Sequence, residues 1–144
     1  MSKSYAVAVI PGDGIGPEVV REGLRVLERV AAIEGFTVRP THYPFGAEHY
    51  LKTREIFPDT AFEEVKRHEA ILLGAIGDPR IEVGLLEFGI IARMRFELDL
   101  FVNLRPVKLY AEHLCPIKEK KPADVDFVVV RENTEDAYAG MRGF

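Results

Sequence analysis

The stretch VAVIPGDGIGPEVV, residues 7 to 20, joins an apolar run to three closely spaced glycines and a helix start. The apolar run YAVAVI at 5–10 stops at Pro11, as a buried strand would. Pro17 suits the first turn of a helix, where the N–H that proline lacks has no partner in any case. Apolar residues then recur at helical spacing: Val20, Leu24, Leu27 and Ala31. Gly35 is a plausible residue for the helix end. The stretch therefore predicts a strand, a glycine turn and a helix.

The three glycines do not form a Rossmann fingerprint. They stand at positions 12, 14 and 16, a spacing of two and two, whereas the dinucleotide fingerprint needs two and three. It also needs an acidic residue at the end of the next strand, and Glu34 lies in the predicted helix tail instead. The alternative is a tight strand-to-helix turn whose glycines let two backbone segments approach closely.

Strand and helix patterns alternate along the rest of the chain. A weak second strand meets Pro40, which suits a sheet edge. The box at 60–63, Thr-Ala-Phe-Glu, predicts the start of a short helix. The remaining predicted elements are a strand at 70–76 covered on both faces, a mostly buried helix at 83–96, and strands at 99–105 and 125–131. This order predicts an α/β fold with a substantially parallel sheet.

Composition excludes several classes of protein. The 144 residues are 47% hydrophobic, and 19 basic and 23 acidic residues are interspersed with a net charge of -4, which argues against a nucleic-acid partner. Cys115 is the single cysteine, so an intrachain disulfide has no second half. A single cysteine does not require an oxidising compartment, so we expect a cytoplasmic location. No run approaches the roughly 20 apolar residues of a membrane span, so we expect no membrane partner.

Three arginines close apolar elements and are candidates for binding carboxylates. Arg95 ends the predicted buried helix, and Arg105 and Arg131 end the last two strands. If those strands are parallel, the last two arginines emerge at one edge of the sheet, and guanidinium groups match carboxylate oxygens in pairs. Tyr138 follows closely, and a phenol beside cations could act as a general acid. The alternative is that the arginines reach water or pair with nearby glutamates (Glu87, Glu97, Glu132), and that the tyrosine is simply half-buried.

Four segments together resemble the β-decarboxylating dehydrogenases, the family that contains isopropylmalate and isocitrate dehydrogenases. They are IPGDGIGPEV at 10–19, LLGAIGDP at 72–79, DLFVNLRPVKL at 99–109 and DFVVVRENTEDAYAG at 126–140. They cover essentially the whole chain in family order and spacing. The resemblance implies an isopropylmalate dehydrogenase-like α/β fold, distinct from the Rossmann fold, in which this chain is part of a two-domain subunit.

The resemblance also implies a reaction and its site residues. The family oxidises a 2-hydroxy acid with NAD or NADP and loses a β-carboxylate with help from Mg²⁺ or Mn²⁺. Arg95, Arg105 and Arg131 match its substrate-binding arginines, and Tyr138 matches its catalytic tyrosine. The cofactor-binding residues implied are Ile15 and the second glycine loop: Gly74, Ala75, Ile76, Gly77, Asp78 and Pro79. The metal ligands are expected beyond residue 144.

The helix before Arg95 bears on the substrate. Isocitrate enzymes offer a serine and an asparagine to the third carboxylate, where this chain has Gly89 and Ile91. An apolar pocket suits an isopropyl group and does not solvate a carboxylate, which favours isopropylmalate. Typical isopropylmalate enzymes carry a Glu and a Leu pair here, whereas this chain has Phe88, Ile91 and Ala92, so tartrate and D-malate stay alternatives to isopropylmalate, as does isocitrate.

Family members are much longer, so this chain is expected to be an N-terminal portion. We expect residues 1–99 to begin the first, cofactor-side domain and 100–144 to begin a substrate and dimerisation domain. The chain alone is predicted to be inactive and to self-associate through exposed apolar surface. The whole protein is predicted to be a homodimer. The alternative to an enzyme is a non-catalytic regulatory subunit of the same fold.

Overall fold

A computed structural model describes residues 3–135, which divide into a compact unit Met1–Arg93 and a second unit Met94–Phe144. The first unit contains three parallel strands with helices between them. Its elements are β1 (Ser4–Gly12), α1 (Gly16–Glu34), β2 (Thr37–His42), α2 (Ala47–Thr53), α3 (Asp59–Val65), β3 (Ala70–Ala75) and a π-helical segment (Glu87–Ala92). The predicted α/β fold is confirmed.

The three strands lie in the order β2–β1–β3, so the first strand is central in the described sheet. Ala8, Val9 and Ile10 of β1 are fully buried, as the apolar run predicts. β2, which contains Pro40, lies at an edge, where a residue without an N–H is tolerated. β3 lies at the other edge and none of its residues is fully buried, so the prediction of a strand covered on both faces was wrong for the described residues.

Helix α1 packs its predicted apolar face on the sheet. Val20 is buried against Val7 and Val9, and Leu24 is packed against the same cluster. The helix ends at Gly35, whose φ of 74° places it in the left-handed region that glycine adopts readily. The hydrophobic spacing therefore predicted the face of this helix, and Gly35 predicted its end.

Two helix predictions were wrong in detail. α3 begins at Asp59, one residue before the predicted box, and no side chain caps it; Pro58 in extended backbone conformation precedes it instead. The predicted helix at 83–96 is a π-helical segment followed by α4 (Arg93–Glu97). Gly84 has a φ of 91°, which a right-handed helix does not use, so the helical turns begin after it.

Arg93, at the end of the π-helical segment, binds α3 and the residue two positions before it. Its guanidinium lies 4.5 Å from the Phe62 ring centroid and donates to the Phe57 carbonyl and the Asp59 carboxylate, both at 2.6 Å. The side chain is only 20% exposed. A charged group shielded in this way gains more from its partners than one at the open surface.

The second unit holds an antiparallel hairpin of β4 (Val102–Lys108) and β5 (Asp126–Glu132), with short 3₁₀ turns at Glu112–Leu114 and Pro122–Asp124 between them. The condition that these strands are parallel, from which Arg105 and Arg131 would emerge at one edge of a sheet, is therefore not met. Both strands are uncovered on both faces in the described residues, and valine-rich runs of this kind resemble buried parallel strands when they are seen in the sequence alone.

Candidate functional site

The carboxyl ends of β1 and β3 lie side by side and bring the two glycine loops together. The Asp13 N–H donates to the Ala75 carbonyl at 2.6 Å. A Cβ at Gly12 would lie 2.0 Å from that carbonyl oxygen, and a Cβ at Gly74 would lie 2.0 Å from the oxygen of Pro11. These glycines therefore let two backbones touch.

Asp13, between the first two glycines, is buried with 6% of its surface exposed. One carboxylate oxygen accepts the N–H of Ala47, the first residue of α2, at 2.6 Å, and the other accepts the Gly77 N–H at 3.0 Å. Sequence reasoning missed this residue. The available signal was an acidic side chain at the end of a buried strand, but the sequence does not show which distant amides it meets.

The second loop continues into a cleft of about 230 Å³ beside the π-helical segment. Gly77 faces Glu87 there: a Cβ on this glycine would lie 3.0 Å from the glutamate Oε1. The cleft wall combines apolar and acidic groups: Gly77, Asp78, Pro79, Ile81, Glu82, Val83, Leu86 and Glu87. Such a wall offers hydrogen-bond acceptors beside an apolar surface.

Arg80 orients the carboxylate of Asp78. Its guanidinium donates to both carboxylate oxygens, at 2.9 and 2.8 Å, and also to Glu48. These hydrogen bonds lower the pKa of Asp78 from its ordinary 3.8 to about 2, so the carboxylate is ionised at neutral pH. The loop therefore carries a fixed negative charge.

The residues predicted to line the substrate pocket lie on the π-helical segment. Phe88 is 75% exposed, and Ile91 and Ala92 are half-buried. Ile90 is fully buried and Gly89 packs on Ile56, where a Cβ would lie 2.6 Å from a side-chain methyl. The extra residue in a π turn rotates the side chains that follow it relative to an α-helix.

Arg105 and Arg131 lie on one face of the hairpin, although the strands run in opposite directions. Asn103 pairs with Arg131, and Arg105 pairs with Val129. Paired residues share a face, as do residues two apart, so the arginines are diagonal neighbours with Cα atoms roughly 7–8 Å apart. Arg105 stands in the middle of its strand and not at the predicted end.

A chain of hydrogen bonds links the Arg95 backbone to the Arg105 guanidinium. The Arg105 Nε donates to Asn103 at 3.0 Å, and the Asn103 amide donates to Asn133 at 3.4 Å. Asn133 is buried, with 5% exposed, and donates to the Leu100 carbonyl at 3.3 Å. Leu100 in turn donates its N–H to the carbonyl of Arg95. Two asparagines that the sequence analysis did not single out thus connect two predicted substrate arginines.

Two further predicted features have different outcomes. Ile15 is exposed as the residue that precedes α1. Tyr138 lies outside the described residues. In residues 3–135 we find no three His, Cys, Asp or Glu side chains grouped as metal ligands. The same range contains no helix with the length and apolar character of a membrane span.

Residues 6–143 match the isocitrate/isopropylmalate dehydrogenase family, and the chain belongs to that family. The predicted family is thereby confirmed. Among its relatives, the 3-isopropylmalate dehydrogenase of Thermobifida fusca is 51% identical over 142 residues, which span 99% of this chain and 40% of that protein. That of Mycolicibacterium vanbaalenii is 53% identical over 137 residues, or 95% of this chain and 39% of the relative.

Solved structures agree on the fold. The isocitrate dehydrogenase from Methylococcus capsulatus superposes with a TM-score of 0.74 at 28% identity, covering 95% of this chain and 37% of that one. A β-decarboxylating dehydrogenase from Thermococcus kodakarensis gives a TM-score of 0.63 at 33% identity, covering 91% and 34%. The chain thus has the fold of these dehydrogenases and spans about 40% of the length of the curated relatives it matches.

Proposed function

We propose that the whole protein oxidises 3-isopropylmalate with NAD and releases the β-carboxylate as CO₂. The observation that carries this proposal is the 51% identity across essentially the whole chain to a protein named 3-isopropylmalate dehydrogenase. The apolar side chains of the π-helical segment support it, because an isopropyl group gains roughly 0.8 kcal/mol for each methylene-sized group that it buries.

The arginines are proposed to hold the two carboxylates of the malate skeleton. Arg105 and Arg131 share one face of the hairpin, and Asn103 orients the guanidinium of Arg105. Arg95 completes the set by its match to the family motif. Charge-assisted bonds of this kind contribute roughly 1.5–3 kcal/mol each when they are shielded from water.

The nicotinamide end of the cofactor is assigned to the cleft beside Gly77–Pro79, with Ile15 as a further contact. The cleft is acidic, so it suits ribose hydroxyls and a cationic nicotinamide ring better than it suits a pyrophosphate. NAD bound there would supply the hydride acceptor for oxidation at C2, and Mg²⁺ or Mn²⁺ would supply positive charge to the substrate. The metal ligands are assigned to family sequence beyond residue 144.

Tyr138 is proposed to donate a proton after the carbon–carbon bond breaks. Loss of CO₂ leaves an enolate, and a proton delivered to the carbon that carried the carboxylate gives the 2-oxo acid product. A phenol acts best as such an acid when neighbouring cations lower its pKa. Tyr138→Phe in the whole protein should therefore lower kcat more than it raises KM; the reverse result assigns the tyrosine to binding alone.

Substrate competition tests the identity of the hydroxy acid. We expect the highest kcat/KM for 3-isopropylmalate among that compound, D-malate, tartrate and isocitrate, measured on the whole protein with NAD and with NADP. A preference for isocitrate would refute the apolar-pocket reasoning. A preference for D-malate or tartrate would assign the exposed Phe88 a different role, since this residue departs from the usual isopropylmalate pattern.

Substitution of the arginines tests the binding assignment. Arg95→Gln, Arg105→Gln or Arg131→Gln should each raise KM for the hydroxy acid at least tenfold, because each removes a charge-assisted pair. Arg39→Gln, on the exposed side of β2, is the matched control and should leave KM unchanged. Unchanged KM in all three site variants would remove the arginines from the site.

The remaining assignments concern the assembly. We propose residues 1–99 as the beginning of the cofactor-side domain and 100–144 as the beginning of a substrate and dimerisation domain in a cytoplasmic homodimer. Turnover by the 144-residue chain alone would contradict this division of labour. A protein with all three arginines and no activity on any of the four substrates would instead favour the regulatory subunit.

A further inference from the structure

We propose that Asp13 is a positioning residue, which holds the Gly77–Pro79 loop in its cofactor-binding conformation. This rests on the proposed function, because it takes that loop as the nicotinamide site. In this proposal the glycine loop at the end of β1 contributes through Asp13, which contacts the second loop and not the cofactor itself.

The geometry joins four segments at one residue, through its side chain and its backbone. The carboxylate accepts N–H groups from Ala47 at the start of α2 and from Gly77 in the second loop. The backbone of Asp13 adds two more bonds, to the Ala75 carbonyl and from the Gly16 N–H at the start of α1. The ends of two strands and the starts of two helices therefore depend on one residue.

Burial makes this arrangement difficult to leave. An ionised carboxylate out of water is strongly unfavourable unless hydrogen bonds replace its hydration. Within residues 3–135 it has no cationic partner, so backbone amides provide those bonds. If the loop moved away, Gly77 would leave one carboxylate oxygen buried without a donor. The loop is therefore ordered before any ligand arrives, which reduces the entropy lost on binding.

The neighbouring glycine at position 46 supports the same conclusion. Its φ is 152°, and a Cβ there would lie 2.6 Å from the carboxylate oxygen of Asp13. Ile81 and Leu86, which flank the cleft, pack on Ala47 immediately after this glycine. Ala47 thus both donates its N–H to Asp13 and packs against the apolar residues that flank the cleft.

Asp13→Asn is the informative variant because it preserves shape. Its amide has one acceptor oxygen, and the NH₂ group would face one of the two backbone N–H donors. We expect KM for NAD to rise roughly 10- to 100-fold in the whole protein, while KM for the hydroxy acid changes less than twofold. Asp124→Asn is the control, since that carboxylate also accepts a backbone N–H, from Lys121 at 2.8 Å, but lies in the other unit.

Amide hydrogen exchange without ligand gives a second readout. In the wild-type protein the Gly77 amide should exchange slowly for a loop residue, and Asp13→Asn should accelerate exchange at Gly77 or Ala47 roughly 10- to 100-fold. Slow exchange retained at both sites, or fast exchange at Gly77 in the wild type, would overturn the proposal. Equal rises in both KM values with faster exchange throughout would also overturn it, because the role would then be general stability.

The two proposals fail separately. If the wild-type protein shows no use of NAD, the proposed function is wrong, yet exchange at Gly77 still decides whether Asp13 holds the loop. If NAD is used and the Asp13→Asn variant does not fold, the exchange rate of the wild-type Gly77 amide decides the proposal.

Discussion

Gly74→Ala provides a direct test of how closely β1 and β3 approach. The new Cβ would lie 2.0 Å from the Pro11 carbonyl oxygen, about 1 Å closer than such atoms approach in proteins. The obstacle is backbone in the central strand, so relief requires separating paired strands. Overpacking of side chains usually costs roughly 1–3 kcal/mol, and we expect at least the upper end here.

Two other glycines separate the possible causes. Gly35→Ala meets no atom within 4 Å but has a φ of 74°, so it should cost roughly 1 kcal/mol from backbone strain alone. Gly23→Ala, inside α1 and equally uncrowded, should stabilise by roughly 0.5–1 kcal/mol. Gly74→Ala therefore reports the close contact, Gly35→Ala the backbone strain and Gly23→Ala the helix propensity.

Urea unfolding followed by circular dichroism gives the three free energies by linear extrapolation, with a constant m-value as the check that the denatured states are comparable. From most to least stable, the expected order is Gly23→Ala, wild type, Gly35→Ala and Gly74→Ala. A Gly74→Ala protein within about 1 kcal/mol of the wild type would refute the close-approach reasoning, since ordinary strain relief would then suffice.

Three more changes test the loop, the helix anchor and the asparagine chain. Arg80→Gln should return the pKa of Asp78 from about 2 toward 3.8, as measured by carboxyl NMR. In the wild type, the stabilising effect of the Asp78–Arg80 pair is present above about pH 4 and is lost as the pH falls toward 2. A pKa that the substitution does not change would contradict the assignment. Arg93→Lys should lower the unfolding free energy by roughly 1–2 kcal/mol because lysine lacks the planar fork, whereas Arg54→Lys at the surface should have almost no effect; equal losses would argue against a special role for the shielded site. Asn133→Ala should lower the free energy of unfolding by roughly 1–3 kcal/mol and raise KM for the hydroxy acid more than KM for NAD. A change in stability with both KM values unchanged would show that Asn133 does not position the substrate arginines.

The sequence predicted what local chemistry determines. Gly35 marked the end of α1, and the alternation of strand and helix patterns indicated parallel strands in the first unit; β1 continues through Pro11 to Gly12, past its predicted end. Strand direction in the hairpin was missed because the apolar residues of Val102–Lys108 and Asp126–Glu132 do not reveal how the two strands pair, and valine-rich runs are also typical of buried parallel strands. The π-helical segment was missed because its apolar residues also satisfy ordinary helical spacing.

The contacts of Asp13 and Asn133 lay beyond sequence reasoning for a different reason. Each side chain meets backbone groups more than 30 residues away, as from Asp13 to Ala47 and from Asn133 to Leu100. Hydrogen bonds of that range leave no periodic trace in one sequence. The arginines were singled out by their positions at the ends of apolar elements and then matched to the family motif, but their shared face followed only from the strand register.

The central position of β1 also has a consequence for synthesis. Its Ala6 N–H bonds to a residue 63 positions further on, and its pairing with β3 spans a similar distance. At roughly 5–20 residues per second, the first strand leaves the ribosome roughly 3–13 s before β3 leaves it. During that interval the side chains of Ala8, Val9 and Ile10 have no complete sheet to enter, so this segment is where a nascent-chain chaperone should bind.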